Sequence, residues 1–237
     1  GIGKAACERL ALCGCDIALT YQKNAVAAQQ VVKTIEQAGR KADAQQLDLT
    51  DAQATKAYFE GVRERYGRIH TLVVATGANI RMAYLADIDV DEWRQTINND
   101  LIGFFNAVKF IIPHLRANGG GSIVALSSAA IVRHSPMDIL STGPKGGIEA
   151  IVRAVAREEG RFNIRANSIG LGSIEAGLME RLWDTLPPKV VEAFRHGAPL
   201  RRIGTAEEAA DAIVFLASRR SGFTTGQRLV LDGGYSV

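Results

Sequence analysis

Ser141 and Lys145 stand four residues apart in a stretch of helical period, so their side chains share one helix face. An ammonium in that place favours the charged form of an acidic neighbour and lowers its pKa. A hydroxyl beside a lysine also invites a nucleophile-and-base reading. Neither the spacing SxxK nor an oxyanion hole supports that reading. At the start of the chain, Gly1-Ile2-Gly3 leads into a helix. Glycines at a strand-to-helix turn let backbone N–H groups approach a pyrophosphate at the helix N-terminus. His134 follows Ser128 by six residues, and imidazole titrates in the range a proton donor needs. Cys7, Cys13 and Cys15 are an odd number close together, which is no disulfide framework. Cys13-Gly14-Cys15 has no His or further Cys to complete a metal site. All three read as reduced, small hydrophobic residues, as in a cytoplasmic protein.

The elements that must hold these groups alternate along the chain. Helical period covers 3–13, 25–38, a segment from Asp51 to Tyr66, 91–115, 142–158 and a segment from Thr205 to Leu216. Strand-like runs lie at 15–20, 42–47, 71–75, 122–126, 164–169 and 228–231. The long helix 91–115 carries Trp93, Ile97, Leu101, Phe104 and Phe105 as its apolar side. Strands alternating with helices imply right-handed crossovers and an α/β fold, a doubly wound parallel sheet of Rossmann type. A chain of 237 residues suits a single domain over 1–237. Two short helices are expected around Pro187-Pro188, inside an irregular segment at about 175–200 that reads as a mobile substrate lid. The apolar residues Leu178, Leu182, Trp183 and Val190 of that segment suggest a partly hydrophobic or acyl substrate. The glycine turn at Gly1 has no strand before it, so a first strand is expected upstream of the sequence given.

Charge excludes some partners. Net charge is +3, from 28 basic and 25 acidic residues that are interspersed, so no basic patch argues for nucleic acid. No signal peptide and no apolar run of spanning length is present, so no membrane partner is expected.

Six landmarks in order, at matching spacings, together resemble the short-chain dehydrogenase/reductase family over the whole chain, nearest its acyl-carrier-protein ketoreductase-like branch. Gly1-Ile2-Gly3-Lys4 is similar to the end of the family's glycine turn, and Asp48-Leu49-Thr50-Asp51 to its adenine-contacting strand end. Val74-Ala75-Thr76-Gly77 stands at the place of its NNAG motif. Ser128 precedes Ser141 by the family's thirteen residues. The stretch Asn167 to Ile174 is similar to its NxxxPGxI, and Gly226-Gln227 to Asp232-Gly233-Gly234 to its TGQ…DGG ending.

The resemblance implies a homo-oligomer, a tetramer or dimer, packed through the 91–115 and 142–158 helices. It implies a nicotinamide cofactor held by Gly1, Ile2, Gly3, Asp48, Leu49, Ala75, Gly77, Lys145, Gly172 and Ile174. The strand end Thr20 to Asn24 lacks a carboxylate for a ribose 2′-OH, and Lys23 could face a 2′-phosphate, so NADP is favoured over NAD. By the same resemblance Ser128 polarises a substrate carbonyl, Lys145 holds the nicotinamide ribose, and Asp100 replaces a relay asparagine. The family's proton-donating tyrosine position reads Ser141. A serine hydroxyl is shorter and a far weaker acid than a phenol, and losing general acid catalysis costs roughly 10²–10⁴ in rate. Leu171 and Ala176 depart from the pattern as well. The expected function is an NADP(H)-dependent oxidoreductase on a small carbonyl or alcohol substrate, with a proton drawn from water, Ser141 or His134. A catalytically silent nucleotide-binding member is the alternative. Asp100 could raise the pKa of Lys145 by pairing with it, or could only cap local amides.

Overall fold

Short apolar runs flanked by polar turns form the strands, in a computed structural model that describes residues 1–77, 80–177 and 187–237. β1 (Ile17–Tyr21) pairs in parallel with β2 (Ala42–Gln46). β3 (Thr71–Val74), β4 (Gly121–Ser128), β5 (Ile164–Leu171) and β6 (Arg228–Leu231) form a second parallel sheet in that order. The helices between them are α1 (Ile2–Leu12), α2 (Ala25–Gln37), α3 (Ala52–Tyr66), α4 (Val90–Ile97), α5 (Gly103–Ala117) and α6 (Ile139–Glu159). α7 (Pro188–His196) and α8 (Ala206–Ala217) precede the last strand. Six of the eight residues of β4 and six of the eight of β5 are buried, as expected when helices cover both faces of a parallel sheet. This is the α/β, doubly wound architecture that the alternation of patterns implies. Among the described residues no helix is long and apolar enough to cross a membrane.

The sheet differs from expectation in being split. Among the described residues no strand pairs between β1 and β3. The opening residues are already helical, with Gly1 as the N-cap of α1, so none of them extends as a strand. α1 joins the two parts through side chains instead. Its Ala6 packs in one apolar cluster with Ile213 and Leu216 of α8, while Cys7 and Leu10 pack towards Ile17, Val31 and Ile35. The other cysteines do not act as small core residues: Cys13 and Cys15 are exposed. Only Cys7 is partly buried, and burial, with Glu8 adding to it, pushes its thiol up to about 11.

Two element boundaries differ in ways that shape the site. The long helix expected over 91–115 is interrupted by a π-turn, Asn98–Ile102, between α4 and α5. The buried positions then run Thr96, Asp100, Phe104, Ala107, Ile111 and Leu115, so a carboxylate occupies the inward stripe and Phe105 faces out. π-turns of this kind recur at functional sites. The helix expected to begin at 142 begins at Ile139, with Asp138 as N-cap. Pro144 therefore lies inside α6 rather than in its first turn, where it cannot donate to the Leu140 carbonyl. Gly143 also has a packing reason. A Cβ there would lie 2.4 Å from Cη2 of Trp93, so the glycine lets α4 close on α6. Of the two short helices expected at 175–197, α7 is present, and residues 178–186, with Leu178, Leu182 and Trp183, lie outside the described residues, as does the side chain of Val190.

Candidate active site

A cavity of about 770 Å³ opens where β3, β4, β5 and β6 end. Ligands of doubly wound sheets bind at this carboxyl end of the strands. Ala75, Thr76 and Gly77 come from beyond β3, Ser127 and Ser128 from the end of β4, and Leu171 to Ile174 from the end of β5. Gly1, Ile2, Gly3 and Lys4 bring the N-terminus of α1 to the same space. By helix geometry the first-turn N–H groups have no intrahelical acceptor, and no acidic side chain occupies that turn. The wall opposite includes Ala193 and Phe194 of α7.

The structure thus places Ser128, Ser141, Lys145 and Asp100 around one space, with Gly1, Ile2, Gly3, Ala75, Gly77, Gly172 and Ile174. Asp48 and Leu49 are not in its lining. Asp48 is exposed and its carboxylate accepts from the Thr50 N–H and hydroxyl at 2.9 and 2.8 Å. Leu49 packs against the core cluster of Phe104 and Val74. His134 corrects an expectation: it is exposed and does not line the cavity, although Ser135 and Pro136 beside it do. Tyr58 is buried in the core and Tyr84 is exposed, so neither reaches this space.

Local bonds orient the polar groups. Ser128 Oγ accepts from the Ala130 N–H at 3.1 Å, which leaves its own proton free to be given. Lys145 Nζ lies 4.0 Å from the Asp100 carboxylate and 3.4 Å from the Thr76 carbonyl oxygen, to which it donates. Burial holds the Lys145 ammonium below the ordinary lysine range, and Asp100 pulls it back up. Of the two roles open to Asp100, the pairing is present and works to raise the Lys145 pKa, while desolvation is the larger effect and sets the net direction.

The sequence reading missed Asp138. As the N-cap of α6 it precedes Ser141 by three residues and Lys145 by seven, and all three line the cavity. That is one helical stripe. Burial raises the Asp138 carboxyl to about 7. With its folded pKa raised, the native state holds a proton that the unfolded chain releases between about pH 4 and 7. Stability contributed by that proton is present at low pH and is lost as pH rises through this window. Asp138→Asn, which cannot ionise, is expected to stabilise the protein at pH 8 by about 2–4 kcal/mol and to gain little at pH 4. Thermal melts at both pH values test this, and an equal shift at both would rule out the buried charge as its cause.

The other carboxylates of the cavity are engaged. Glu208 is lowered to about 2, first by hydrogen bonding to Arg202 and then by the Thr205 N–H. Burial pushes Asp232 up, but hydrogen bonds from Ser236 and the Gly234 N–H outweigh it and hold the group low. Tyr235 Oη shares a 2.8 Å hydrogen bond with Ser135 Oγ, and the Arg133 guanidinium stacks 5.0 Å from the ring centroid.

Comparison with known proteins gives this geometry a lineage. Residues 1–236 match the family described as Enoyl-(Acyl carrier protein) reductase. The chain is 34% identical to the 3-oxoacyl-acyl-carrier-protein reductase FabG of Thermotoga maritima, over 87% of this chain and 82% of that protein. It is likewise 34% identical to 1-cyclohexenylcarbonyl-CoA reductase of Streptomyces collinus, over 100% of this chain and 84% of that one. A short-chain type dehydrogenase/reductase from Mycobacterium ulcerans superposes with a TM-score of 0.93 at 25% identity, covering 100% of this chain and 86% of that one. NAD+-bound xylitol dehydrogenase gives the same TM-score at 27% identity, covering 98% and 94%. With matches of this extent in sequence and in structure, the chain belongs to the short-chain dehydrogenase/reductase family.

Proposed function

We propose that this protein is a nicotinamide-dependent oxidoreductase that interconverts a small carbonyl compound and its alcohol, with NADP(H) preferred. The observation that carries the reading is the convergence of Ser128, Lys145, Asp100 and the α1 N-terminus on one cavity at the strand ends. The chemistry of the donor set fits a dinucleotide: free first-turn N–H groups and Lys4 suit a pyrophosphate. When bound, the nicotinamide supplies or accepts a hydride. Around it, Ser128 gives its hydroxyl proton as a hydrogen bond to the substrate carbonyl oxygen. Lys145 places positive charge where negative charge develops, and Asp100 holds that lysine in position. Ala193 and Phe194 of α7 present apolar surface, in keeping with a partly hydrophobic or acyl substrate. Such a substrate is also what the names of the acyl-carrier-protein and CoA-thioester reductases among its relatives describe.

The preference for NADP(H) rests on the exposed Lys23 just beyond β1 and on the lack of a carboxylate between Thr20 and Asn24. Ser141 stands where the family tyrosine would, and its hydroxyl is a poor proton donor. The homo-oligomer would pack through the 91–115 and 142–158 helices, and the exposure of Ile102 and Phe105, at 41% and 47%, supports the first of these. Purified protein is expected to bind NADPH more tightly than NADH in fluorescence titrations, and to oxidise NADPH with at least one member of a panel of ketones and β-ketoacyl thioesters. Binding of nucleotide without turnover of any member would instead indicate a silent nucleotide-binding protein.

A further inference from the structure

We propose that Asp138 is a catalytic residue, the general acid that passes a proton to the substrate carbonyl oxygen in reduction and takes it back in oxidation. This rests on the reductase reading above and supplies the donor that Ser141 does not.

Position is the first argument. Asp138, the N-cap of α6, lines the cavity together with Ser141 and Lys145 of α6, at spacings of three and four. Neighbours at such spacings on a helix have Cβ atoms about 5–6 Å apart. A carboxyl at 138 is thus one turn from the hydroxyl at 141, on the side where the substrate must lie.

The second argument is that the carboxyl has no structural task. Asp51 and Asp89 are N-caps of α3 and α4, and each accepts backbone N–H groups with its side chain. Asp138 is the N-cap of α6 and its side chain makes no such bond. Its backbone carbonyl instead accepts the Ser141 and Thr142 N–H groups and the Thr142 hydroxyl. Among the described residues no donor meets the carboxyl, and burial is the one cause of its raised pKa. A partly buried carboxyl on a cavity wall, with no side-chain contact of its own, adds nothing to the packing around it. Structural economy therefore does not account for it, and a proton-transfer role does.

The remaining charged and titratable groups of the cavity have partners or tasks other than proton donation. Lys4 on α1 lies 3.9 Å from Glu8, and Lys145 lies 4.0 Å from Asp100 of the π-turn. Arg202 pairs with Glu208 of α8, Asp232 beyond β6 accepts backbone N–H groups, and the Tyr235 hydroxyl shares its hydrogen bond with Ser135. A carboxyl near pH 7 can both give and take a proton at neutral pH, which is what general acid–base work requires.

The step balances. A hydride from the reduced nicotinamide forms the new C–H bond at the carbonyl carbon, and the C=O π pair moves to oxygen. The Asp138 O–H bond breaks as its proton joins that oxygen. The carboxylate left behind regains a proton from water entering the cavity. Two electrons leave the nicotinamide and two reduce the carbonyl.

Wild type, Asp138→Asn, Asp138→Glu and Tyr235→Phe are compared with NADPH and the carbonyl substrates from pH 5 to 9. Infrared difference spectra follow the protonated-carboxyl band of wild type and Asp138→Asn. Reduction by wild type should be fast below about pH 7 and fall above it, and oxidation should show the mirror image. Asp138→Asn should lose about 10²–10⁴ in kcat with nucleotide affinity within twofold, and should lose the inflection near neutrality. Asp138→Glu should regain part of the rate, and Tyr235→Phe should keep the inflection. A carboxyl band that titrates near neutrality in wild type and is missing from Asp138→Asn supports the assignment without reference to turnover. If Asp138→Asn keeps the wild-type kcat and inflection, or if no carboxyl titrates near neutrality, the role is overturned while the reductase reading stands. If wild type binds nucleotide and turns over no carbonyl, the reductase reading falls, and this role with it.

Discussion

Ser141→Tyr, built into the Asp138→Asn protein, is expected to raise carbonyl turnover by at least about tenfold, recovering part of the 10²–10⁴ that removal of a general acid costs. The reasoning combines reach and acidity. A phenol extends its oxygen several bonds further from the helix than a serine hydroxyl does, and a cavity of about 770 Å³ has room for the ring. Residue 141 stands one turn from Lys145, whose ammonium favours a phenolate and so makes the phenol a stronger acid. With Asp138 present, the added tyrosine should change the rate less, because a donor is already in place. The pH profile of the double variant should follow the new phenol rather than the lost carboxyl. Steady-state rates, nucleotide binding and a cooperative melt are measured together. A double variant that binds NADPH and melts normally, yet is no faster than Asp138→Asn, would remove Ser141 from the reacting centre.

What the sequence made legible follows the range of the interactions. Alternating patterns carry the layer order, because strand burial in a parallel sheet is read from short apolar runs such as 122–126. Helix starts were less legible. Gly143, Pro144 and Gly147 weaken the helical pattern there, so the period reaches back only to 142 and leaves out Asp138, the N-cap. The signal that could have found it is the 138, 141, 145 spacing, visible once the helix is extended by one turn. Asp100 was located but its surroundings were not. A carboxylate on an otherwise apolar stripe gives no sign of a π-turn, and the balance between burial and pairing at Lys145 depends on how deeply the amine lies. His134 was drawn towards the cavity because it follows Ser128 closely in sequence. The 3₁₀ turn Ala129–Ile131 lies between them, and the chain beyond it carries the imidazole to the surface. Asp48 spends its carboxylate on a turn two residues long, a contact so local that its sequence does not separate it from a ligand contact.

Contacts distant in sequence are the least legible, and one of them yields a large expected loss of stability. Glu149 of α6 is buried and accepts a hydrogen bond from Ser127 Oγ at 2.6 Å. Arg228 of β6 reaches the same carboxylate at 3.0 and 3.2 Å, and Arg153 lies 3.8 Å away. The arginine arrives by passing over β5 at Gly170, where a Cβ would stand 3.0 Å from its Cδ. Removing one partner of a buried ion pair costs about 3–5 kcal/mol, because the other charge is left without compensation. Arg228 keeps some exposure and its Nε has no partner among the described residues, so Glu149→Ala is expected near the lower end, about 3 kcal/mol. Replacing both partners by apolar residues of similar volume is often neutral, so Glu149→Leu with Arg228→Leu should recover most of the loss. The site should register the change as well. Side chains alternate across a strand, so Ser127 held towards α6 turns Ser128 towards the cavity, and freeing Ser127 loosens the hydroxyl that faces the substrate. Denaturant unfolding at fixed pH measures the first effect, and kcat of the single variant measures the second. A loss below about 1 kcal/mol, or a double variant no more stable than the single, would show that the Glu149–Arg228 pair contributes no more than an exposed pair does.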